Sequence, residues 1–132
     1  MKRILHLFVL FTLLLTGQSV VAVAEEAVEV QEMVFCTSVE DREPVGADTT
    51  FLSTVEVVYC FTRLASSVDT TTIEHVWYYN DEEMARVELN VQAKTWRTWS
   101  SKRIVQEWTG KWRVDVVSES GTVLQSKEFD VK

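Results

Sequence analysis

Only one histidine, His75, stands in the 108 residues that follow Ala24. A serine or cysteine hydrolase needs a base beside its nucleophile, and His75 with Ser100 or Ser101 is the one pairing the sequence offers. Neither serine sits in a strand-to-helix nucleophile elbow, so the plainer reading is a strand histidine hydrogen-bonded at a sheet edge. A lone histidine makes no typical zinc site unless carboxylates complete it. The run Asp81-Glu82-Glu83 could attract calcium, yet it lacks the alternating oxygens and the glycine of a calcium loop. It reads as a solvated turn. Paired carboxylates for glycoside hydrolysis need one raised pKa and a cleft between them, and no pair among the acids is singled out. The sequence reads as non-catalytic, without cofactor or metal.

Aromatic residues give the stronger signal. Five tryptophans follow Ala24: Trp77, Trp96, Trp99, Trp108 and Trp112. Trp112 falls on an inward-reading face. Trp96 and Trp99 are three apart, so a regular strand points them to opposite sides, which predicts one buried and one exposed. Flat aromatics stack on sugars or partner side chains, and Trp and Arg dominate binding hot spots. The expected binding surface is His75, Trp77, Arg97, Trp99, Ser100 and Lys102. Its bland counterpart is a cation–π pair that only stiffens the surface.

The elements that would carry these residues alternate with a period close to two, the pattern of half-buried strands. Seven are expected: Met33–Val39, Phe51–Leu64, Ile73–Tyr79, Ala85–Val91, Thr95–Trp108, one around Trp112–Val116, and Val123–Val131. Phe51–Leu64 puts Val55, Val57, Tyr59 and Phe61 on one face. In the fifth, Ser100 or Ser101 could instead cap a short helix through Glu107. Seven short strands in about a hundred residues predict a single antiparallel β-sandwich over 33–132, immunoglobulin-like in general layout. Cys36 and Cys60 lie in successive strand-like runs. In an oxidising compartment such a pair is expected to bridge, the alternative being two buried thiols.

The expected compartment follows from the start of the chain. Lys2 and Arg3 precede an apolar run from Ile4 to Leu15, and Ala22-Val23-Ala24 forms a small-x-small cleavage site. The run is about a dozen residues, short of the roughly 20 of a spanning helix. Residues 1–24 thus read as a signal peptide, 25–32 as an acidic flexible leader, and the mature protein as periplasmic or secreted with no membrane span. The whole chain has 13 basic and 20 acidic residues, a net charge of −7, and losing Lys2 and Arg3 takes it to −9. Such a charge repels nucleic acid. It is also uneven: Glu25 to Ala93 holds 3 basic and 15 acidic residues, Lys94 to Lys132 holds 8 and 5.

Five fragments stand in order along the chain: Val34-Phe35-Cys36, Asp41-Arg42-Glu43-Pro44, His75-Val76-Trp77-Tyr78, Trp96-Arg97-Thr98-Trp99-Ser100-Ser101-Lys102 and Gly110-Lys111-Trp112-Arg113-Val114. Gly121-Thr122-Val123-Leu124 and Phe129-x-Val131 follow them. In this order and spacing, from about Met33 to Val131, the chain resembles the bacterial domain-of-unknown-function family twenty-nine fourteen. The resemblance implies a small extracytoplasmic β module, sometimes carried behind membrane segments, with no assigned activity.

Three functions are open at this point. The first is a non-catalytic module that docks on an envelope protein through Trp96–Lys102. The second is a carbohydrate-binding module for cell-wall or capsular glycan, which needs tryptophans exposed together. The third is a small hydrolase using His75.

Overall fold

Seven strands of nine or ten residues carry the fold in the computed structural model, which describes Gly17 and residues 26–132. They are β1 (Val28–Cys36), β5 (Val57–Ser66), β6 (Thr71–Tyr79), β7 (Glu82–Val91), β8 (Thr95–Arg103), β9 (Gly110–Ser118) and β10 (Val123–Val131). Three short strands, β2 (Ser38–Glu40), β3 (Glu43–Val45) and β4 (Thr50–Phe51), fall between the first two. No described residue is helical. The segment expected to be export signal, 1–24, lies outside the described residues apart from Gly17.

Two sheets share the long strands, in the orders β1-β5-β8 and β4-β10-β9-β6-β7. All their pairings are antiparallel except β4, which lies parallel to β10. The first, second and fifth long strands thus face the third, fourth, sixth and seventh. The layout is an immunoglobulin-like sandwich with its fourth long strand beside the third, not beside the fifth as in constant-type domains. The cause is local. Asn80 and Asp81 have φ of 46° and 65°, with Tyr79 paired to Glu82. Such a two-residue turn matches the twist of a hairpin. It leaves β7 no length to cross the roughly 10 Å to the other sheet.

The core lies between the sheets. Phe129 is its hub, within 4.5 Å of Phe35 and 5.9 Å of Trp112 by ring centroids, with Phe51 and Trp77 edge-on. Trp112, Val114 and Val116 point inward as the alternation predicts, and Ala85, Val87, Leu89 and Val91 face the same core from β7. On β5 the inward set is Val58, Cys60 and Leu64, so Val57, Tyr59 and Phe61 share the outer face. A γ-turn sets that parity: the Val57 N–H donates to the Val55 carbonyl at 2.8 Å, with Glu56 at φ 67°. It interrupts the single strand expected from Phe51 to Leu64.

Two further expectations change. The acidic leader is structured from Val28, which is 5 % exposed and paired with Ser66; Val30 and Glu32 continue the ladder across a bulge. Cys36 and Cys60 are both free and both buried. Cys60 is paired with Phe35 and faces the core, whereas Cys36 is paired with Tyr59 and faces the opposite side of the same sheet. Neighbouring residues along a strand point to opposite faces, so the two sulfurs are kept apart by the sheet itself. Denatured without reductant, the chain is expected to titrate two thiols per molecule; a count of zero would contradict this register.

Candidate functional site

β6 and β8 bring the expected residues together, half of them on the wrong side of the sheet for a surface. His75 and Trp77 are fully buried and Ser100 is 6 % exposed. They belong to a polar chain that crosses the core between the sheets. The Trp77 indole N–H donates to Ser100 Oγ at 3.1 Å, and Ser100 Oγ lies 2.7 Å from His75 Nδ1. On the other side of the ring, His75 Nε2 lies 3.2 Å from Thr62 Oγ1. Thr62 in turn donates to the Thr98 carbonyl at 3.1 Å.

Proton accounting fixes every direction. Thr62 has one hydroxyl proton and spends it on Thr98, so it accepts from His75, which carries its proton on Nε2. Nδ1 is then an acceptor, and the Ser100 hydroxyl donates to it while accepting from Trp77. Donation runs one way from Trp77 through Ser100, His75 and Thr62 to the β8 backbone. Burial holds the imidazole neutral, its pKa pushed down to about 4. Chemically this is a serine–histidine dyad with the right distance. It has no access: a substrate atom cannot reach either partner through a packed interior. Open depressions do exist elsewhere. One of about 710 Å³ is lined by Ser53, Thr54, Glu56, Arg103, Gln106 and Glu107 among others, and includes neither His75 nor Ser100.

The outer side of β8 is different. Among the described residues β8 is hydrogen-bonded on one side only, to β5, so its other edge is the rim of the three-stranded sheet. Arg97, Trp99, Ser101 and Arg103 alternate outward with Trp99 half-buried on Phe61, ring centroids 6.3 Å apart and nearly parallel. Trp96 points inward against the core at the same rim. The alternation of Trp96 and Trp99 is as expected, but both are half-buried; neither is fully exposed. Lys102 sits 5.1 Å over the Trp108 ring, a cation–π contact. Of the six expected surface residues, Arg97, Trp99 and Lys102 reach the surface, and His75, Trp77 and Ser100 are corrected to interior positions.

Residues that sequence reasoning passed over complete this rim. β2 and β3 form a hairpin with Asp41 and Arg42 at its tip, both at positive φ (50° and 62°). The tip crosses the outer face and reaches β8. Glu43 Oε1 accepts from Arg97 at 2.7 Å, the Arg42 carbonyl accepts from the same guanidinium at 3.3 Å, and Arg42 lies 5.9 Å from the Trp96 ring. Behind Arg97, directly across the strand pair, stands Arg63, which is 3.5 Å from Glu32 and whose Nε is buried without a partner. The available signal was the Glu-Asp-Arg-Glu run between short β-prone pairs. The acidic turn at Asp81-Glu82-Glu83 is tied into ion pairs: Asp81 with Arg113 at 2.7 Å and Glu83 with Arg86 at 2.7 Å.

Two tests address the buried chain. Ser100→Ala strands the Trp77 N–H and His75 Nδ1 and is expected to cost roughly 1–3 kcal/mol per orphaned group. Ser101→Ala, one residue on and exposed, should be nearly neutral; equal losses in denaturant unfolding would overturn the assignment. The second test is pH. The folded chain binds a proton at His75 less readily than the unfolded chain, whose imidazole titrates near 6.5. The stability it contributes is therefore complete above about pH 6.5 and is lost as pH falls toward 4, about 3 kcal/mol in all. An NMR titration should find the ring neutral down to about pH 4, and a midpoint near 6.5 would refute a closed interior.

No curated protein matches the sequence. Among solved structures the chain is similar to the beta-glucosidase from Listeria innocua solved in complex with glucose, with a TM-score of 0.45 and 13 % identity. The likeness covers 81 % of this chain and 16 % of that one, so this chain spans about a sixth of the enzyme's length. A likeness this slight carries nothing about activity. The family comparison is more direct, although Val34-Phe35-Cys36 and Asp41–Pro44 fall outside its span. Residues 70–131, which take in β6 to β10, match the model of the family described as Protein of unknown function (DUF2914), and the resemblance read from the sequence holds there.

Proposed function

We propose that the domain is a non-catalytic interaction module of the cell envelope that docks a protein partner along the outer rim of β8. One observation carries the reading: β8 has a neighbour on one side only among the described residues, and that rim holds its aromatic and basic side chains. A free edge offers a row of backbone donors and acceptors, and an extended partner segment adds to such an edge as a further strand. Arg97, Lys102 and Arg103 make the rim cationic in an otherwise acidic chain. Cationic edges resist pairing with their own copies, which favours a different partner over self-association. The non-catalytic part rests on the closure of the His75–Ser100 dyad, and the envelope part on the basic start, apolar run and Ala22-Val23-Ala24 within residues 1–24.

A second reading, glycan binding, has one specific support. Trp96 and Trp99 border the same depression of about 330 Å³, together with Arg42, Asn90, Arg97 and Thr98. Half-buried rings offer a sugar less platform than exposed ones, so protein docking is preferred.

Ser101→Cys carrying a photo-cross-linker should yield a discrete protein adduct in envelope preparations, and Trp99→Ala in the same chain should abolish it. Ser126→Cys, on the other sheet, should give none. Identical adducts from the two positions would sink the docking reading. Glycan-only adducts would turn it to the second reading.

A further inference from the structure

Resting on the docking reading, we propose that the rim of β8 receives an acidic extended segment, whose carboxylate seats on the Arg63–Arg97 pair, and that the β2–β3 hairpin occupies this seat in the free protein. The geometry on the outer face supplies the argument. Arg63 and Arg97 are directly paired across β5 and β8, both outward. Like charges directly opposite destabilise a sheet unless anions compensate. One anion lies at each end of the row: Glu32 on the Arg63 side at 3.5 Å, and Glu43 on the Arg97 side at 2.7 Å. Compensation is incomplete, because Arg63 Nε is buried with no acceptor. Glu43 shows what the Arg97 end of the row takes: a carboxylate delivered by the overlying β2–β3 hairpin. An arginine pair suits that geometry because each guanidinium is a rigid fork of donors.

The hairpin is poorly built to hold this position. It has three residue pairs, and a two-stranded hairpin on its own is marginal. Glu40 and Glu43, the pair that closes its turn, are like charges directly opposite one another. Its two turn residues adopt positive φ without a glycine. The ion pair at its tip is exposed, with side chains 37 % and 60 % accessible, and such pairs contribute little. Its base is firm by contrast: the Thr37 N–H donates to the Val45 carbonyl at 3.0 Å, and Gly46, at φ +71°, lies against Thr37 where a Cβ would collide. A tip that lets go while the base stays anchored is a resident competitor for the guest.

The test uses a synthetic peptide of alternating glutamate and valine, and its glutamine analogue, titrated against the whole domain. The glutamate peptide should bind more tightly than the analogue by roughly tenfold, as a charge-assisted contact requires. Glu43→Gln should bind it several-fold more tightly than wild type, and Arg97→Gln should lose the preference for glutamate. In Glu43→Gln the Trp96 fluorescence should also become more accessible to iodide with no peptide present, at an unchanged unfolding midpoint. Equal binding of the two peptides overturns the acidic guest. Equal affinity of wild type and Glu43→Gln overturns the competitor. Absence of Ser101 adducts alongside a glutamate preference would strike the docking reading alone and leave the carboxylate seat supported.

Discussion

A residue in a strand has one of two sides to face, and its neighbour has the other. That single constraint governs the most informative features of this domain. It places Ser100 in the interior and Ser101 in solvent, one residue apart. It separates Cys36 from Cys60 although their strands are partners. It divides β8 into an inner face committed to the core and an outer face that carries Arg97, Trp99, Ser101 and Arg103. Burying apolar side chains on the inner faces supplies the driving force, at roughly 25 cal/mol for each Å² removed from water. The sheet's pleat then decides which residues collect it.

Polar groups inside such a core cost free energy unless each is satisfied. His75 would be among the most expensive, with two ring nitrogens between two sheets. The costs are offset because the donors and acceptors form a complete series, and because the imidazole gives up its charge. Thr62 and Ser100 lie on one sheet and His75 and Trp77 on the other, so the series also fixes how the sheets sit over each other. Apolar packing alone is non-directional and sets no such relation.

The all-β class and most strands were legible because β7 and the first part of β9 alternate cleanly and the other runs are rich in strand-forming residues. Bounds shifted where the alternation is interrupted by geometry that one-letter codes carry weakly. The γ-turn at Glu56 split the second expected strand, so that Val55 packs against the core while Val57, Tyr59 and Phe61 share the outer face. The acidic residues around Val28 and Val30 resembled a solvated leader, since Glu29 and Glu32 occupy positions that a half-exposed edge tolerates. At the site, Trp96 and Trp99 could be assigned to opposite faces from spacing alone. The burial of His75 could not, because its acceptor Thr62 is thirteen residues away on another sheet. Long-range pairing likewise hid the approach of Glu43 to Arg97, 54 residues on.

The anchoring of Ser100 has a kinetic corollary. Because the middle of β8 is tied inward at Ser100 and along its whole length to β5, the rim keeps its shape before anything arrives. On the docking proposal, an incoming chain would then lose its own freedom but little of the domain's. The on-rate of such a chain would follow encounter and the removal of whatever lies in the way, with no slow refolding of the strand it would join.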